Sequence, residues 1–132
     1  MKKIKTEPIS KPWGCEEIWA QTDKYVGKFL RIGPGEKLSL QYHVKKDETL
    51  HCLSGYPTVQ IGVFISNAKN YPGYDEDGRV VTLKPGDTIH IKPGIVHRIS
   101  NEYGIEQVVI VEASTAELDD IVRLEDKYGR LE

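Results

Sequence analysis

Glycine and proline recur along this chain at intervals too short to leave room for helices. They fall at Pro12, Gly14, Gly27, Gly33-Pro34-Gly35, Gly55, Pro57, Gly62, Pro72-Gly73, Gly78, Pro85-Gly86, Pro93-Gly94 and Gly104. Glycine tolerates positive φ, and proline fixes φ and donates no N–H, so such positions mark turns. The segments between them are rich in Val, Ile, Leu, Tyr and Thr: 25–32, 37–44, 48–53, 58–64, 79–83, 88–92, 97–100 and 106–112. Short strands at regular spacing predict an all-β sandwich or barrel, and the absence of alternating helical patterns excludes a doubly wound α/β fold. Pro34-Gly35-Glu36 and Pro85-Gly86-Asp87 echo one another, each followed by a strand carrying histidine, as two halves of a double Greek-key barrel would.

One helix is expected, over residues 114–129. Ser114-Thr115-Ala116-Glu117 has the form of a capping box. Leu118, Ile121, Val122 and Glu125 follow at helical spacing, and Gly129 can end the helix. The polar stretch 66–78 reads as a long exposed hairpin loop. The 132 residues therefore read as a single domain: an arm over 1–24, a barrel over 25–112 and the helix. A chain of this length can bury a core without staples.

The formal net charge is −2, which argues against a general nucleic-acid or anionic-membrane surface. No apolar run is long enough to span a bilayer, and basic residues 1–10 lack the apolar stretch of a secretory signal. Cys15 and Cys52 lack metal-pair spacing, so free thiols in a reducing cytoplasm are expected.

The chemistry concentrates in residues 35–48 and at His97. Strand side chains alternate, so Gln41 and His43 share a face. A turn over 44–47 brings Glu48 alongside on the next strand, with Leu50 and Cys52 on the same inward side. His97 adds a second imidazole from a later strand. Two imidazoles, one carboxylate and one amide oxygen suit one divalent ion, with Zn foremost and Mn, Fe, Co or Ni as alternatives. Positions stay open for water or substrate, and the ion keeps net positive character for polarising a sugar oxygen. A lone inward histidine or a lone Glu48 would signify little. His51 and His90 fall on the opposite faces and read as outer-surface residues, and Trp13 and Trp19 read as packing residues of the arm.

Residues 35–55 resemble the first cupin motif, with Gln41 where many cupins carry their first histidine. Residues 86–101 resemble the second motif, with Lys92 at a position usually held by proline. A narrower resemblance is to the cupin domain of type II mannose-6-phosphate isomerases, also found fused to mannose-1-phosphate guanylyltransferases. It is carried by Lys11-Pro12-Trp13-Gly14, by Ser39-Leu40-Gln41-Tyr42-His43, by His97-Arg98 and by residues 119–130. The resemblance implies a double-stranded β-helix, with Gln41, His43, Glu48 and His97 as metal ligands. It also implies a metal-dependent aldose–ketose isomerase acting on a phosphorylated hexose. That family usually has Arg where this chain has Lys46 and Trp where it has Leu50.

Such an isomerase needs a base, a stabiliser of the developing oxyanion and a grip on the phosphate. Lys37, Arg98 and Glu112 are candidates for the catalytic groups. Ser39, Lys45, Lys46 and Arg98 are candidates for holding substrate, although alternation turns Arg98 away from His97. Two rivals stand beside the isomerase: a metal cupin of another class, such as an oxygenase or sugar lyase, and a carbohydrate-binding module without catalysis. A homodimer is expected by analogy with barrels that carry an N-terminal arm.

Overall fold

A computed structural model describes residues 1–62 and 79–131. The expected loop over 66–78 lies outside the described residues, as do positions 63–64 of the expected fourth strand. Among the described residues there are eleven strands and no helix, so none that could cross a membrane. The strands are β1 (Ile9–Lys11), β2 (Gly14–Gln21), β3 (Tyr25–Ile32), β4 (Leu40–Tyr42), β5 (Glu48–Ser54), β6 (Thr58–Ile61), β7 (Arg79–Thr82), β8 (Thr88–Ile91), β9 (His97–Ser100), β10 (Val108–Thr115) and β11 (Val122–Glu125).

They form two antiparallel sheets. One runs β1-β2-β3-β10-β5-β8 and the other β11-β4-β9-β6-β7. The alternation of β3 puts Val26, Lys28, Leu30 and Ile32 inside, and that of β10 does the same for Val108, Ile110, Glu112 and Ser114. The core joins both sheets: Leu30, Ile32, Leu50, Cys52 and Ile110 from one meet Val59, Ile61 and Ile99 from the other. Each aliphatic side chain among them contributes about 1.5–3 kcal/mol by leaving water. Cys52 is buried, Cys15 half-buried, and both are free thiols.

The arm is not merely draped over the barrel, because β1 and β2 extend the six-stranded sheet beyond β3. Gly14 opens β2 at φ +148°, where a Cβ would lie 1.9 Å from the Arg31 carbonyl oxygen. That close approach seats Trp13 in the core at 4% exposure. Trp19 packs on the outer face, its ring so close over Gly27 that a Cβ there would meet it at 2.5 Å.

The helix expected over 114–129 does not form. Ser114 and Thr115 instead finish β10, opposite Val26 and Tyr25. The Thr115 hydroxyl accepts from the Asp47 N–H at 3.0 Å, an interaction outside any helix cap. Val122–Glu125 pairs with β4. The reason is tertiary: without β11 the β4 edge would leave its backbone groups unpaired. Leu124 packs against Leu40 and Val96, so its burial outweighs a weak local helical preference. The expected strand over 37–44 also shortens to three residues, with Lys37 making only an isolated bridge to Ser100.

Candidate metal centre and its cavity

His43 follows β4, Glu48 opens β5 and His97 opens β9. Their donor atoms all lie within 4.8 Å of one another, and all three residues are buried. Glu48 stands between the imidazoles: its Oε2 is 3.4 Å from His43 Nε2 and its Oε1 3.2 Å from His97 Nε2. The other ring nitrogens face backbone carbonyls. His43 Nδ1 is 2.5 Å from the Asp120 oxygen, and His97 Nδ1 is 2.9 Å from the Ile95 oxygen. A carbonyl only accepts, so each Nδ1 carries the proton and donates it. Each Nε2 then turns its lone pair toward an anionic carboxylate, which is repulsive unless a proton or a metal ion lies between. Two donors about 2.1 Å from one ion, at octahedral to tetrahedral angles, stand about 3.0–3.4 Å apart. The two imidazole–carboxylate separations fall in that range, and the three donors cluster as a metal site requires.

Gln41 sits opposite His97 in the β4–β9 pairing, so the two side chains share a face. It is buried, with its amide nitrogen turned to the Ser39 carbonyl at 3.4 Å. Lys46 lies beside the triad, its ammonium 3.1 Å from Glu48 Oε2 and 3.1 Å from Glu112 Oε2. These are ion pairs without hydrogen-bond geometry, so both carboxylate oxygens remain buried acceptors without a hydrogen-bond partner.

Burial opposes ionisation of Glu48, but a proton shared with His43 or His97 at Nε2, and the Lys46 charge, outweigh it. Its carboxyl is held far below the usual range. Glu112 goes the other way: burial and then the Glu48 charge push its carboxyl up, against the pull of Lys46 and Lys28. Burial works against the Lys46 ammonium, but Glu112 and Glu48 raise its pKa all the same.

These groups line a cavity of about 410 Å³ between the sheets. Of the residues expected at the site, Gln41, His43, Glu48, His97, Ser39, Lys46 and Glu112 line it together. Lys37, Lys45 and Arg98 do not. Lys37 pairs with Glu102 at 3.6 Å, because residues 37–39 lie outside a regular strand and break the alternation that put it beside Ser39. Lys45 is exposed on the turn after His43. Arg98 is buried on the other side of β9, with Nε donating to the Leu38 carbonyl at 3.0 Å and a guanidinium nitrogen 2.8 Å from Glu125. His51 meets Thr88 and His90 meets Asp47, both away from the cavity.

Several site residues escaped the sequence reading. Lys28 is buried in the cavity wall and pairs with Glu16 at 3.1 Å. It occupies an inward position of β3, so alternation alone could have found it. Arg123 and Arg130 also line the cavity, and the expected helix hid them. The Asp120 carboxylate accepts from the backbone N–H groups of Val44, Lys45 and Lys46, fixing the turn between His43 and Glu48.

The chain resembles known proteins over most of its length. It is 28% identical over 125 residues to a mannose-1-phosphate guanylyltransferase of Escherichia coli, covering 93% of this chain and 23% of that enzyme. Thus the chain spans about a quarter of that relative. A Klebsiella pneumoniae protein with a double-stranded β-helix domain superposes with a TM-score of 0.65 at 22% identity, over 95% of this chain and 90% of that one. An oxalate decarboxylase of Lactobacillus farciminis superposes with a TM-score of 0.68 at 21% identity, over 90% of this chain and 33% of that one. At these identities the two structures show the shared fold. The family model described as mannose-6-phosphate isomerase C-terminal matches residues 2–126, and the chain belongs to that family.

Proposed function

We propose that this chain is a metal-dependent aldose–ketose isomerase that interconverts mannose 6-phosphate and fructose 6-phosphate. The observation that carries the reading is the pair of Nε2 atoms facing Glu48 at 3.4 and 3.2 Å in the wall of one cavity. The cavity, about 410 Å³, falls within the range of small-molecule sites. Family membership supports a phosphorylated hexose as substrate.

His43, Glu48 and His97, with Gln41 beside them, would hold one divalent ion. When bound, such an ion supplies Lewis-acid polarisation of a sugar oxygen. Proton movement falls to the protein. Glu112 reaches the cavity from β10, and the rise in its pKa suits a carboxylate that accepts a proton from carbon and returns it to the neighbouring carbon. Lys46 touches both carboxylates, so it can offset charge as the proton moves. Trp13 and Leu30 in the cavity wall exclude water from that transfer.

Turnover of mannose 6-phosphate by the metal-loaded chain tests the reading. Activity is expected to vanish with a chelator and return with metal. His43→Ala is expected to lower kcat/KM by more than about 100-fold, since even partners that only orient a ligand contribute about 10–100-fold. A folded, metal-loaded chain that binds phosphosugars without converting them would overturn the isomerase and leave a binding module.

A further inference from the structure

We infer that Arg123, with Lys11 across the cavity, forms its anion-holding end and grips the phosphate of a sugar whose reacting end lies at the metal donors. The inference rests on reading the cavity as a phosphosugar site.

Position is the first argument. Arg123 lies opposite Gln41 in the β11–β4 pairing, and Gln41 lies opposite His97 in the β4–β9 pairing. Residues directly opposite in antiparallel strands share a face, so Arg123, Gln41 and His97 form one row across the five-stranded sheet. Two strand spacings, about 9–10 Å, separate the main chains at the ends of that row. One elongated ligand can therefore touch both ends.

Charge is the second argument. Most ionic groups of the cavity already have partners: Lys28 with Glu16, Lys46 with Glu48 and Glu112, and Arg130 with Asp126. Arg31 and Arg98, elsewhere, are likewise paired with carboxylates. Arg123 and Lys11 line the cavity and make no ion pair among the described residues. The Arg123 Nε is also a buried donor without an acceptor. Asp126 feels its charge but is held by Arg130 at 2.9 and 3.0 Å. Among the acids of the wall, Asp119 is the one left without a cation, and it is exposed. A planar guanidinium and an ammonium, both unpaired, match a dianionic phosphate better than a single carboxylate.

Calorimetry on the zinc-loaded full chain tests this with four probes: mannose 6-phosphate, inorganic phosphate, mannose and glucuronate. Arg123→Gln is expected to weaken both phosphate probes by about 10–100-fold, the worth of a charge-assisted contact. Mannose affinity and metal content should stay unchanged. Equal binding of mannose 6-phosphate by wild type and R123Q overturns the inference. So does a wild type that binds no phosphate probe, or one that prefers glucuronate. If R123Q does not fold, the Arg123 Nε–H resonance of the wild-type chain decides, identified by its loss in R123K. A shift on adding mannose 6-phosphate supports the grip, and an unmoved resonance overturns it. Arg123-dependent binding without turnover removes the isomerase and leaves this inference standing. Turnover with an unchanged KM in R123Q does the reverse.

Discussion

Lys46 is the residue on which the site's charge balance turns. Its ammonium is wedged between Glu48 and Glu112 at 3.1 Å from each, and all three are nearly out of solvent. Removing one partner from a buried ionic group is costly because the others stay buried without compensation. Lys46→Met should therefore destabilise the metal-free chain by about 3–5 kcal/mol, read from urea unfolding. Adding Glu112→Gln should restore part of that loss, and strict additivity of the two changes would contradict the coupling. At this scale the sequence was legible wherever period two held. Gln41 and His43 came from strand alternation, Glu48 from the turn after them and His97 from a later strand, and all four line the cavity. Lys37 was misplaced because residues 37–39 lie outside a regular strand, and nothing in their identity announces that. Arg98 was correctly placed on the far face by alternation, where it binds Glu125 and the Leu38 carbonyl.

Among the elements, β11 departs furthest from expectation. Its residues carry helical spacing and follow the cap-like stretch 114–117, yet they form a strand. What decided the outcome was an open sheet edge on β4, which belongs to another part of the chain and cannot be seen locally. By contrast β3 and β9 were legible to the residue, since turns bound them on both sides. The segment after β11 is tied down by Tyr128, whose hydroxyl donates to Glu36 and accepts from the Lys37 N–H. Burial, and then the bond to Glu36, raise the Tyr128 pKa from 10.0 to about 12. A pKa raised in the folded state means that this stabilisation is complete below about pH 10. It is lost as pH rises through about 12. Wild type should thus lose more stability than Tyr128→Phe between these values. Parallel loss in both, measured by urea midpoints, would show that the tie contributes nothing.

The molecule as a whole is two sheets sharing one core, and the donor cluster bridges them: β5 lies in one sheet and β9 in the other. An ion bound there links the sheets and stabilises only the folded chain. At free ion 100 times its Kd the gain is about 2.7 kcal/mol, so EDTA should lower Tm and added zinc should restore it. A Tm indifferent to both would contradict the bridging role. An all-β sandwich or barrel was legible from turn spacing, but strand order was not, because pairings such as β3 with β10 join distant segments. His43 and His97 owe their orientation to the carbonyls of residues 120 and 95. Every amino acid offers that oxygen, so the imidazoles place no demand on the side chain at 95. Packing against the core is what constrains position 95, so alignments of distant homologues will miss one of the anchors that aim the candidate metal site.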